Sequence, residues 1–84
     1  MNKKQERVLS AIFDERVRAN IDWRDVESLL IALGAEMTQG RGSRVRVALN
    51  GIRAVFHEPH PEKEVCKGMV RALRDFLTSA RVLP

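Results

Sequence analysis

The sequence predicts an α+β domain of two layers, with helices on one face of a three-stranded antiparallel sheet and the other sheet face open. Three observations carry this. Asn50-Gly51 lies between two runs of alternating apolar and polar residues, the strongest short-range pattern for a two-residue hairpin turn with positive φ at both positions. Apolar residues recur at helical spacing both before and after that hairpin. A chain of 84 residues buries only about two thirds of its unfolded surface, so one modest core and one domain over residues 1–84 are expected.

In chain order, Lys3 to about Phe13 forms a first helix with Val8, Leu9, Ile12 and Phe13 as its apolar positions. Residues Glu15 to Asn20 break the pattern, which makes 1–20 a helical extension ahead of an αβββα unit over 21–84. A second helix opens at Ile21-Asp22, where Asp22 caps and Ile21 can staple onto Val26. Its core stripe is Trp23, Val26, Leu29, Leu30 and Leu33, and Gly34 stands at the C′ position that ends it. Trp23 therefore reads as a core residue rather than a platform for stacking bases. Ala35 to Gln39 is extended, and Gly40-Arg41-Gly42 turns the chain into the strands Arg44 to Leu49 and Ile52 to His57. Pro59 and Pro61 lack backbone donors and restrict the residues before them, so Glu58-Pro59-His60-Pro61 is a rigid linker. A last helix starts near Val65 or Lys67 and runs to Ser79. It turns Met69, Val70, Leu73, Phe76 and Leu77 inward and Lys67, Arg71, Arg74 and Asp75 outward.

The hairpin register follows from the turn. If Leu49 faces Ile52, then Val47 faces Ala54 and Val45 faces Phe56, and all six share the core face. The opposite face pairs Ala48 with Arg53, Arg46 with Val55 and Arg44 with His57. It is a cationic platform with a histidine at one corner. Net charge is +4 and eleven of the fifteen basic residues are arginine. The planar guanidinium meets a phosphate with two hydrogen bonds, so an anionic partner is favoured, RNA or an acidic protein surface. No Asp or Glu lies between Glu36 and Glu58, whereas Arg41, Arg44, Arg46 and Arg53 do.

Composition excludes other classes. With 44% hydrophobic and 31% charged residues the chain is globular rather than disordered. No run approaches the ~18 apolar residues of a membrane span, and the polar N-terminus lacks the apolar segment of a signal peptide. The single Cys66 has no internal disulfide partner and reads as a small core or helix-surface residue, which fits a reducing, cytoplasmic setting. Two histidines are too few for a metal site, so no metal is expected.

The apolar helix ending at Gly34, the Gly42-Ser43 step opening the second strand, the Pro59-His60-Pro61 tripeptide after the third and the closing amphipathic helix resemble the HicA toxins of type II toxin–antitoxin systems. The resemblance covers about Ile21 to Val82. It implies an αβββα fold like that of a double-stranded-RNA-binding domain and a small ribosome-independent mRNA endonuclease without a metal cofactor. It also implies a HicB-type antitoxin that covers the active face. The family's catalytic histidine directly follows Gly-Ser, and here that position holds Arg44.

Metal-free RNA cleavage needs a base for the 2′-hydroxyl proton and a cation or acid for the developing charge. Arginine stays protonated and cannot be that base, but it can hold the scissile phosphate. His57, directly across from Arg44, is the candidate base. Arg44 and Arg46 are candidate phosphate clamps, and Arg41, Ser43 and Arg53 are further RNA-binding candidates. His60, rigid between two prolines, is expected to brace the turn. The alternative is a catalytically silent module of the same fold that binds RNA or the antitoxin without cutting. A third reading is a basic structural domain that docks an acidic protein surface.

Overall fold

The computed structural model describes residues 1–17, 20–60 and 62–84. Within them the elements run α1 (Lys3–Ile12), α2 (Trp23–Ala32), β1 (Glu36–Gln39), β2 (Arg44–Leu49), β3 (Ile52–His57) and α3 (Lys67–Ser79). The strands form one antiparallel sheet in the order β1-β2-β3. Part of the expected break at 15–20 (Arg18 and Ala19), and Pro61 of the Pro-His-Pro tripeptide, lie outside the described residues.

Local chemistry explains each boundary. Asn2 and Gln5 form a reciprocal capping box at the start of α1: Asn2 accepts from the Gln5 N–H at 2.8 Å and Gln5 accepts from the Asn2 N–H at 2.9 Å. Asp22 caps α2 by accepting from the Arg24 N–H at 2.8 Å. At the other end Gly34 adopts φ +91°, which a side chain would resist, and its N–H bonds to Ile31 while that of Ala35 bonds to Leu30. That pair of bonds is the Schellman closure, so the expected C′ glycine is borne out. Asn50 and Gly51 both take positive φ, 50° and 81°, as the hairpin turn requires. The Asn50 amide also donates to the Ala80 carbonyl at 2.8 Å and ties the turn to the end of α3.

The register is the one the turn predicts, from Leu49↔Ile52 to Arg44↔His57. Val45, Val47, Leu49 and Phe56 are buried, and Ile52 and Ala54 pack partly buried against the same core. The helices supply its other side: Val8, Leu9 and Ile12 from α1, Trp23, Val26, Leu29 and Leu30 from α2, and Val70, Leu73, Phe76 and Leu77 from α3. Phe56 and Phe76 meet edge to face at 5.6 Å and join sheet to helix. Cys66 is the exposed N-cap of α3. No helix among the described residues is long and apolar enough to cross a membrane.

One expectation is overturned. Arg74 is half-buried and not free in solvent. Its Nε–H donates to the Ile12 carbonyl at 2.9 Å and its Nη2 to the Asp14 carbonyl at 2.6 Å, which fills acceptors left open where α1 ends. Helical spacing shows Arg74 on the outer arc of α3, but the end of α1 lies against that arc and turns it into an interface.

The segment after β3 is held at several points. The Glu58 N–H extends the β2–β3 ladder to the Ser43 carbonyl at 2.7 Å, Trp23 N–H donates to the Lys63 carbonyl and Val65 N–H to that of Ile21, both at 2.9 Å. Lys63 and Val65 are thereby fastened to the start of α2, and His57 and His60 sit where the chain leaves the sheet.

Candidate functional site

Adding β1 to the hairpin completes the open face as three cross-strand rows. They read Glu36, Ala48, Arg53, then Thr38, Arg46, Val55, then Gly40, Arg44, His57; the last row is continued to Gly40 by its N–H bond to the Arg44 carbonyl at 2.7 Å. Leu49 and Ile52 close the turn at one end, and Glu58 bonds to Ser43 at the other. The hydrogen-bonded pairs of the hairpin therefore fall on core-facing residues. The outward pairs, Arg44 with His57 included, are the non-hydrogen-bonded ones, whose Cα atoms lie about 4.5 Å apart and whose side chains approach most closely.

Arg44, Arg46, Arg53 and His57 are all exposed on this face. Among the described residues none of Arg41, Arg44, Arg46 and Arg53 has a carboxylate within ion-pair distance, so their charge is available to a ligand. Arg41 stands apart, on the turn between β1 and β2, at the end of the sheet that carries Arg44 and His57. A groove of ≈ 400 Å³ crosses the face, bordered by Glu36, Thr38, Arg46, Ala48, Arg53 and Val55. A second groove of ≈ 440 Å³ lies past the sheet end and is lined by Ser43, His57 and His60, with Glu62 and Glu64 also contributing. Neither imidazole makes a hydrogen bond among the described residues. No group of three or more His, Cys, Asp or Glu side chains among them could hold a metal ion.

Glu58 follows His57 in sequence, yet its carboxylate is taken from the other side: the Trp23 indole N–H donates to it at 3.1 Å. Glu27 lies near the same carboxylate. Burial pushes the Glu27 carboxyl above the usual glutamate range, Glu58 adds to the rise, and Arg24 partly opposes it. A raised carboxyl binds its proton more tightly in the folded chain. Its stabilising effect is therefore complete below the ordinary glutamate range and is lost as pH climbs through the raised value. Glu27→Gln is expected to flatten that part of the stability curve and to be neutral or mildly stabilising at pH 7, as urea titrations from pH 4 to pH 7 would show.

Sequence reasoning overlooked Glu36 and Thr38. Alternation places both outward, but their rows become visible only when β1 is registered on β2.

A family model described as the HicA toxin of bacterial toxin–antitoxin systems matches residues 23–81. The chain belongs to the HicA toxin family. It is the toxin component of a toxin–antitoxin pair, and α1 precedes the matched region. No curated protein and no solved structure matches the chain. Within this HicA toxin Gly42-Ser43 immediately precedes β2, whose first residue is Arg44, with His57 across the ladder.

Proposed function

We propose that this toxin binds RNA on its open sheet face and cleaves it without a metal ion, with His57 as the base. The observation that carries the reading is the Arg44↔His57 pair, exposed and non-hydrogen-bonded, on a face whose arginines have no internal carboxylate partners. His57 takes the 2′-hydroxyl proton, the 2′-oxygen attacks phosphorus, and the bond to the 5′-oxygen breaks. Arg44 and Arg46 hold the phosphate and stabilise the charge that develops on it. The sequence reads His60 as a brace, but its imidazole makes no hydrogen bond among the described residues; lining the same groove as His57, it returns in this reading a proton to the leaving 5′-oxygen. The products are a 2′,3′-cyclic phosphate and a 5′-hydroxyl. Ser43 offers the phosphate a hydroxyl donor, and Arg41 and Arg53 extend the cationic track in either direction.

The partner follows from the same face. A HicB-type antitoxin that covers it with acidic residues would neutralise both binding and cleavage, and the cytoplasm, where mRNA is found, is the proposed site of action. The deciding experiment is incubation of the purified chain with RNA in EDTA, followed by analysis of the fragment ends. Cyclic phosphate ends support the reading. Retention of RNA without cleavage supports the second one, a silent binding module, which is favoured by a single observation: an arginine occupies the position after Gly42-Ser43.

Binding itself should depend on salt. Each neutralised phosphate of a single strand contributes a log–log slope of about −0.7, so three or four engaged arginines give roughly −2 to −3. Arg46→Ala is expected to make the slope shallower by about 0.7, measured by fluorescence anisotropy across a salt series. A flat response in the wild-type chain would turn attention to an acidic protein surface instead.

A further inference from the structure

The groove across the open face contains a carboxylate in a place where a polyanion is expected. Glu36 begins β1, lies opposite Ala48 and shares its row with Arg53, while Arg46 is diagonal to it. It is exposed, and neither arginine is within ion-pair distance of it. It is the one acidic residue in the three rows. The position directly beside Glu36 is unfavourable for a phosphate, so a bound strand keeps its backbone toward the arginines, and a base edge is what meets Glu36.

The chemistry of the corner selects the base. A carboxylate presents two acceptor oxygens and no donor. Single-stranded bases are read on their Watson–Crick edges. Adenine and cytosine place a ring-nitrogen acceptor beside their amino group, and uracil flanks its one N–H with two carbonyls. Guanine alone presents two adjacent donors, N1–H and N2–H, which match the two oxygens. The floor beside Glu36 is apolar: Ala48 lies directly opposite, and Val55 is 55% exposed in the next row. Thr38, the next outward residue of β1, brings a hydroxyl that can donate to guanine O6.

We propose that Glu36 reads a guanine of the bound RNA, accepting from N1–H and N2–H while the base lies over Ala48 and Val55. This rests on the RNA reading above and adds a base preference to it. The site explains why a face that binds polyanions carries an unpaired carboxylate.

The test uses 2′-O-methyl oligonucleotides, which lack the nucleophile and cannot be cleaved. Three labelled octamers are titrated by anisotropy: all adenosine, one central guanosine, and one central inosine, which keeps N1–H but has no amino group. The guanosine strand is expected to bind about tenfold more tightly than the adenosine strand, the size of a two-hydrogen-bond base contact, with inosine losing most of that gain. Glu36→Gln is expected to level the three while leaving affinity for the adenosine strand unchanged or slightly higher, because a negative charge has gone. Equal wild-type binding of all three, or a guanosine preference that survives Glu36→Gln, overturns the guanine site alone. Failure of all three to bind at low salt overturns the RNA reading and the guanine site with it.

Discussion

His57→Ala is expected to lower RNA cleavage by about two to four orders of magnitude, the range that a positioned acid–base group contributes. Affinity for uncleavable RNA should change by only a few-fold. The two effects separate because of where His57 sits. It is exposed at the end of β3 and makes no hydrogen bond among the described residues, so its removal leaves the ladder and the core intact. The arginines proposed to hold the phosphate, on β2 and at Arg53, remain. Arg44→Ala should show a different signature, with weaker binding as well as slower cleavage, because a phosphate clamp acts in the ground state and in the transition state alike. Single-turnover cleavage beside anisotropy measures both quantities. Cleavage by His57→Ala at the wild-type rate would remove His57 from the mechanism.

The second large effect is expected on stability, at the contact between α1 and the rest of the chain. Ile12 is fully buried, and truncating such a side chain leaves a cavity, so Ile12→Ala should cost about 2–5 kcal/mol. Arg74→Ala should cost about 1.5–3 kcal/mol, since it removes a charged donor from the Ile12 and Asp14 carbonyls. Arg74→Lys should recover only part of this, because an ammonium cannot reproduce a fork that reaches two carbonyls. In a domain of this size each kcal/mol moves Tm by about 4–8 °C, so both variants are readable by thermal or urea unfolding. Losses this large would make α1 part of one folding unit, although it lies ahead of the family-matched residues. A loss below ~0.5 kcal/mol for Ile12→Ala, the size of an ordinary surface change, would instead make α1 a loosely held extension.

The contrast between Arg46 and Arg74 shows why periodicity reads some side chains and misreads others. Both are arginines on the outward arc of their element. The Arg46 position follows from a turn four residues away, and nothing in the fold returns to cover it. Arg74 occupies an equally outward arc, but its partners at Ile12 and Asp14 are 62 and 60 positions away along the chain. The same distinction applies to Trp23. Its apolar character places it in the core, whereas its bond to Glu58, 35 positions on, shows only when α2 and the end of β3 are brought together.

What the sequence determined by itself is therefore local: the caps at Asp22 and Gly34, the Asn50-Gly51 turn, and through that turn the whole Arg44–His57 register. These depend on backbone conformation and alternation within a few residues, and tertiary packing had only to preserve them. The tertiary structure alone decided which distant groups meet. It set Glu36 and Thr38 beside the arginines, drew His57 and His60 to one groove, and laid the end of α1 under Arg74. Such meetings depend on how layers and neighbouring strands stack, and stacking is driven by burial of apolar area, a force without direction that leaves no mark in the spacing of the polar residues it brings together.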